Sequence, residues 1–450
     1  MRTFFVTLPR ELDVRNFLLG DFYLAAQERP DIRLVVFVPP KRAEQYRAEF
    51  GHERCIIEAM VDLAMSRKPL RRFFGLLSYA SLPATTIWFR QKIAHLNGGS
   101  FLAFWGKNLL WYFGHFSAWR TILRMMDGLF FRDNDLWGPY FEKYKPSAVF
   151  APGLTDESDL TLLRYAKQKG TSALSMPRSW DNFTSKLLLR VFPDLLLVQN
   201  PSMVREARRL GYFPEKRIRV VGFPQFDHYL DPAWRMKREE LAERFGLDPQ
   251  KRWVLYFTGG LATSVMGKKD YSDHIEMLLN AIERGDLPYD VEIIARVHPL
   301  DQAVLRGKAA HVPILDFGKE FDFRTDDLKL LANMVRESAV TINTGSTMTL
   351  EAAIFDRPIV LAAFDGYGEA KLPWHKKLGT ALDHTVHYLN LERTGGMVRA
   401  ADEKELVEKV RTYLENPNLH HGGRRRLREE YVGPLDGGAG RGVFDTMIQL

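Results

Sequence analysis

At 450 residues the chain is long for one domain and fits two α/β domains, with a 46% hydrophobic and 26% charged make-up typical of ordinary globular proteins. One cysteine, Cys55, excludes an intrachain disulfide, and no apolar run approaches the length of a membrane-spanning helix. A net charge of +7 implies an anionic partner but leaves nucleic acid, anionic lipid and a phosphorylated small molecule open.

The opening MRTFFVTLPRELD has too short an apolar run for a signal peptide, so a cytoplasmic location is expected. A strand is predicted at 3–8, then one helix over 15–27 with Asp13 as its N-cap. Strands at 33–38 and 55–58 flank a charged helix at 41–50. This alternation predicts a parallel, doubly wound sheet.

From 66 to 132 the character changes. Cations such as Arg71, Arg72, Lys107, Arg120 and Arg124 face a single acid, Asp127, and aromatics such as Phe73, Phe101, Trp105, Tyr112 and Trp119 crowd the same span. Basic and aromatic residues on helices suit a membrane interface. They also suit single-stranded nucleic acid, or a plain fold with aromatics inside and cations outside. Membrane contact is preferred to nucleic acid as the functional reading.

Alternation resumes at 137, with strands at 148–151, 172–176, 194–199 and 218–221. GFPQFDHY (222–229) breaks it and sets the domain boundary. The second half restarts with strands at 253–257, 291–297 and 312–315, and helices at 270–283 and 326–337. Strands at 339–342 and 358–363 enclose NTGSTMTLEAAIFDR. After 365 the chain reads as loop-rich, then helical over 403–414. The expected domains are 1–222 with a helical insertion at about 66–132, then 223–425, with 426–450 packing back on the first.

In parallel sheets ligands bind beyond the carboxyl ends of the strands, and several polar groups fall there. Thr344, Gly345, Ser346 and Thr347 lie where a strand passes through a loop into a helix, a turn suited to phosphate; Glu351 follows on the same face as Thr347, placed for a ribose. A capped helix with a solvated Glu would give the same letters. Arg296 and His298 share one strand face just before Pro299, where guanidinium and imidazole can stabilise a departing diphosphate. Gly259 and Gly260 permit close backbone approach. Asp156, Glu157 and Asp181 follow first-domain strands and are the candidates for a general base. Neither a metal-ligand spacing nor a phosphate-loop glycine–lysine motif is present, so no metal or cofactor is expected.

The set SWDNFTSK, GFPQFD, Arg296–Val297–His298–Pro299 and NTGSTMTLEAAIFDRPIV resembles bacterial surface-polysaccharide glycosyltransferases of the GT-B fold. It is related in pattern to CDP-glycerol glycerophosphotransferases and to non-hydrolysing UDP-GlcNAc 2-epimerases. The resemblance implies two Rossmann-like domains facing a cleft, the C-terminal one holding a nucleotide-activated sugar through Arg296, His298, Ser346, Thr347 and Glu351. It implies glycosyl transfer, without a metal, to a lipid-linked or oligosaccharide acceptor, with peripheral contact at the cytoplasmic face of an anionic inner membrane and no nucleic acid. Glycerophosphotransfer is the alternative, followed by epimerisation and by a non-enzymatic nucleic-acid-binding protein.

Overall fold

The computed structural model describes residues 1–60, 69–131, 134–186, 188–259, 271–297, 305–315 and 325–450. The chain divides into two compact units, Met1–Gln91 with Gly98–Leu230 and Gly433–Leu450, and Lys92–Asn97 with Asp231–Val432.

The first unit carries a seven-stranded sheet: β1 (Arg2–Thr7), β2 (Ile32–Val38), β3 (Cys55–Ala59), β4 (Ala148–Ala151), β5 (Ser172–Ser175), β6 (Leu195–Val198) and β7 (Ile218–Val220). The order is β3-β2-β1-β4-β5-β6-β7 and every pairing is parallel. Helices cover both faces of such a sheet, which is why these strands read as apolar runs rather than alternations. The direction of winding reverses between β1 and β4, so the crevice of this sheet opens there.

The helix expected over 15–27 is two helices, α1 (Glu11–Phe17) and α2 (Asp21–Gln27), and Asp13 is not an N-cap but lies inside α1. Phe17 and Phe22 explain the break. Five residues apart, they would diverge by about 140° on one straight helix. With Gly20 extended between the helices, both reach Phe150 of β4, at ring distances of 5.1 and 5.9 Å.

The basic aromatic span forms α4 (Pro69–Ala80), α5 (Thr85–Leu96), α6 (Phe101–Phe113) and α7 (Ser117–Phe130), followed by α8 (Asn134–Tyr144). Its packing partly inverts the simple expectation of aromatics inside and cations outside. Arg71 and Arg120 are buried while Phe73, Phe101, Trp105, Tyr112 and Phe116 are exposed. The arginines are drawn inward by acceptors: Arg120 donates to the Leu210 carbonyl at 2.7 Å, Arg124 to those of Leu189 and Gly211, and Arg90 to that of Ser185. Beyond this block lie α9 (Glu157–Lys169), α10 (Asn182–Ser185) and α11 (Pro201–Arg209). Among the described residues no helix is long and apolar enough to cross a membrane.

The terminal helix Ala439–Ile448 belongs to the same unit and adds Val443, Phe444 and Met447 to its core. The GFPQFD segment holds it. The Asp227 carboxylate accepts from the Ala439 and Gly440 N–H groups at 2.9 and 2.7 Å. A Cβ on Gly440 would stand 2.9 Å from the Phe22 backbone nitrogen, so only glycine lets this helix approach α2.

The second unit has a five-stranded parallel sheet: β8 (Arg252–Phe257), β9 (Val291–Arg296), β10 (Val340–Asn343), β11 (Ile359–Ala362) and β12 (Val398–Ala400), in the order β12-β11-β10-β8-β9. Two expectations fail here. Residues 312–315 make only a single bridge, Ile314 to Ala295, and the stretch read as loop-rich contains β12 and two short helices, Leu378–Asp383 and Val386–Glu392.

Replacing Asp227 with alanine removes the acceptor for two N–H groups at the start of the terminal helix. A loss of about 1–2 kcal/mol is expected in urea unfolding, against a much smaller loss for Asp227→Asn. Equal midpoints for wild type and Asp227→Ala would exclude this capping role.

Candidate functional site

In the second sheet the winding reverses between β8 and β10, and Gly259, Thr344, Gly345, Ser346, Thr347 and Arg296 lie at or just beyond the carboxyl ends of its strands. Phe257 pairs with Arg296 on one side and with Asn343 on the other, so the ends of β9, β8 and β10 stand in one row about 5 Å apart. The Thr258 N–H donates to the Arg296 carbonyl at 3.0 Å. The Thr344 hydroxyl donates to the Gly259 carbonyl at 2.9 Å, tying the two loops of the crevice together. Gly259 (φ +83) and Gly345 (φ +95) occupy the left-handed region, where a side chain would be strained. Gly260, His298 and Pro299 lie outside the described residues.

Asn343, which the sequence reading passed over, organises the turn. Its Oδ1 accepts from the N–H groups of Gly345 and Ser346 at 3.0 and 3.2 Å, and its Nδ2 donates to the Thr349 hydroxyl. Those two N–H groups are therefore already engaged rather than free for a ligand. The Ser346 oxygen accepts from the Met348 N–H at 3.3 Å, which leaves the hydroxyl proton as a donor. Thr347 is exposed and caps the helix Met348–Ile354, in which Glu351 is buried. Arg296 is half-buried at the end of β9.

The corresponding crevice of the first sheet is filled by charge. Arg178, after β5, bonds both oxygens of Asp13 at 2.6 and 2.9 Å, Asp156 at 2.7 Å and Asp159 at 3.4 Å. Arg10 adds a bidentate contact to Asp156, and the Thr7 hydroxyl donates to Asp159. Burial pushes Asp13 up to about 6 against the pull of Arg178, and holds Asp159 well above the usual carboxylate range. For Asp156 burial is outweighed by Arg178 and Arg10, and its pKa is lowered. Glu157 behaves likewise: burial is outweighed by Arg190, Arg164 and Arg71, which all bond it. Both sequence candidates are thus held ionised by arginines, a setting that weakens a general base.

Asp181 caps the short helix α10 and accepts from the Ser185 hydroxyl at 2.7 Å, with Lys186 at 3.2 Å. Helix α10 packs on α11, and there lies a carboxyl the sequence did not single out. The Glu206 stem is half-buried while its Oε2 is enclosed, with no hydrogen-bond partner among the described residues. Burial, then the charge of Asp181, pushes its pKa up to about 8. In sequence Glu206 sits in VREARR, where it looks like a solvated helix acid. Among the described residues no group of three or more His, Cys, Asp or Glu forms a metal site.

No family model matches the chain, and no curated protein matches it by sequence. Solved structures do match it in fold. UDP-GlcNAc 2-epimerase from Neisseria meningitidis, bound to UDP-GlcNAc, gives a TM-score of 0.53 at 11% identity over 100% of both chains. S. aureus MnaA with UDP gives 0.52 at 10% identity, over 98% of this chain and 94% of that one. The wall teichoic acid polymerase TagF, soaked with CDPG, gives 0.52 at 12% identity, over 100% of this chain and 88% of that one. At these identities the likeness is one of fold. The GT-B architecture of two Rossmann-like domains, expected from the sequence motifs, is the architecture of this chain.

The raised pKa of Glu206 has a consequence for stability. Its protonated form is favoured by the fold, so its contribution is complete below the ordinary value of 4.5 and is lost as pH rises towards 8. Glu206→Gln should therefore melt above wild type at pH 8, with the gap closing towards pH 5. Asp13 and Asp159 act equally in both proteins and cancel from the difference. Parallel melting curves across that range would exclude a buried, protonated Glu206.

Proposed function

We propose that this protein transfers a glycosyl group from a nucleotide sugar to an oligosaccharide or lipid-linked acceptor, without a metal. The observation that carries this reading is the β8/β10 crevice, where two left-handed glycines, Ser346 and Thr347 follow the strands, with Arg296 at the end of the neighbouring β9 and Glu351 in the helix that follows the turn. Backbone without side chains admits a phosphate closely, and hydroxyl donors beside it suit phosphate oxygens. Glu351 is assigned to the ribose hydroxyls.

In the proposed step the acceptor hydroxyl oxygen bonds to the anomeric carbon as the bond from that carbon to the phosphate oxygen breaks. Arg296 and His298 neutralise the charge gathering on the departing nucleotide. The hydroxyl proton passes to a carboxylate base, the role for which Asp181, Asp156 and Glu157 are the sequence candidates.

The fold neighbours were solved with UDP, UDP-GlcNAc and CDPG, which makes uridine and cytidine nucleotides the first donors to test. The CDPG-soaked neighbour favours one second reading, glycerophosphoryl transfer, in which the same crevice would hold a cytidine nucleotide. The exposed aromatic face of α6 supports peripheral contact with an anionic membrane that carries the acceptor.

A thermal-shift series with UDP, CDP, CMP, GDP and dTDP tests the donor side. A rise in melting temperature with one nucleotide selects the donor, a response confined to CDP and CMP favours glycerophosphoryl transfer, and no response to any removes the donor site. With the donor known, His298→Ala should lower turnover by about 10²-fold or more while the fold persists. A fully active His298→Ala protein would overturn the assignment.

A further inference from the structure

The first unit contains a cavity of about 380 Å³ that the proposed transfer does not use, within the range of small-molecule sites. Its lining includes Arg124, Arg164, Lys167 and Arg190 with one acid, Asp127. Asp127 bonds Arg164 through Oδ1 and Arg190 through Oδ2, and Glu157 ties the same two arginines to Arg71. Five cationic side chains thus share two carboxylates. Among the described residues Arg124 donates to the Leu189 and Gly211 carbonyl oxygens, and it stacks over Phe192 at 4.2 Å. Burial and the neighbouring Arg120 lower it to about 10, which leaves it charged at neutral pH. A cavity with such an excess of guanidinium groups takes an anion, and the planar fork of arginine matches phosphate best.

Helix α7, which lines the cavity, also carries an unusual surface. On α7 the lining residues Arg124, Asp127 and Gly128 occupy one strip, and Ile122, Met125 and Leu129 occupy a strip centred about 140° round the helix, the two meeting where Gly128 neighbours Met125. Those three are exposed. In α6 none of the thirteen residues is buried, although ten are apolar or aromatic and Lys107 carries the one charge. Phe101, Trp105, Leu109 and Tyr112 recur along it at helical spacing and are exposed. A phosphate pocket beside an uncovered apolar strip has the polarity of a lipid, head and tail.

We propose that this cavity binds the phosphate head group of a membrane lipid, whose chains lie along the apolar faces of α7 and α6. The proposal rests on the membrane-contact part of the functional reading, and adds to it a defined site. Lys167 is exposed at the rim, and a Cβ on Gly128 meets nothing within 4 Å, so both positions accept change without disturbing the core.

Co-sedimentation of the full chain with phosphatidylcholine vesicles, with and without phosphatidic acid, tests the site. Wild type should bind the phosphatidic acid vesicles. Gly128→Glu, which adds one negative charge, should weaken that binding about fivefold, and Lys167→Glu, which reverses one charge, about thirtyfold. Gly128→Ala should bind as wild type, and Trp105→Ser should weaken binding through the apolar face. If wild type binds and both charge variants bind equally well, the cavity is not the lipid site and membrane contact stands alone. If wild type binds no vesicles, the membrane reading falls and the lipid site with it. Inorganic phosphate that stabilises wild type but not Gly128→Glu, without vesicle binding, would assign the cavity to a soluble anion. Dimerisation abolished by Trp105→Ser, again without vesicle binding, would assign the apolar face to a second copy.

Discussion

The first unit depends on the Arg178 guanidinium. It stands at the point where the winding of the sheet reverses and draws together Asp13 of α1, Asp156 ahead of α9 and Asp159 within it. Three segments that meet nowhere in sequence are thereby fixed over the ends of β1, β4 and β5. Gly153 makes the arrangement possible, because a Cβ there would lie 2.5 Å from one Arg178 nitrogen and 2.4 Å from an Asp159 oxygen. A buried cation and its acids are costly to separate and only modestly favourable together, so the cluster specifies geometry more than it adds stability. Arg178 and Arg10 supply two positive charges against three carboxylates. Burial raises the pKa of Asp13 and Asp159, while at the more exposed Asp156 the two arginines outweigh it.

The β-strands were legible because a strand buried on both faces must be an apolar run, and Phe4 to Val6, Leu34 to Val38, Ala148 to Ala151 and Leu195 to Val198 are such runs. β12 was not, since three edge residues, Val-Arg-Ala, leave no period to read. The turn at Gly345 was recognised from its residue types, yet its logic was misjudged. The Asn343 side chain captures the N–H groups that looked available, a local hydrogen bond that composition alone does not reveal.

Misreadings elsewhere share one cause: tertiary packing decides which polar groups are enclosed. Glu206 was hidden within a charged helix, and its enclosed Oε2 follows from packing that the helix's own sequence does not show. The cations of 66–132 suggested an outward-facing basic surface. Arg71, Arg120 and Arg124 instead turn inward to carboxylates and helix-end carbonyls, and the aromatics are left outside.

The two sheets share a topology but fill their crevices oppositely, and this bears on where a nucleotide would go. Between β1 and β4 the crevice holds a guanidinium and three carboxylates, and an incoming diphosphate would meet Asp13, Asp156 and Asp159 before any free donor. Between β8 and β10 the loops are glycine and small hydroxyl residues, joined by the Thr344 to Gly259 bond, with an arginine at the end of the adjacent strand. The first arrangement presents carboxylates with their guanidinium to the crevice, and the second presents small residues and a guanidinium. Both sheets are parallel and doubly wound, so the difference is set by which residues follow each strand.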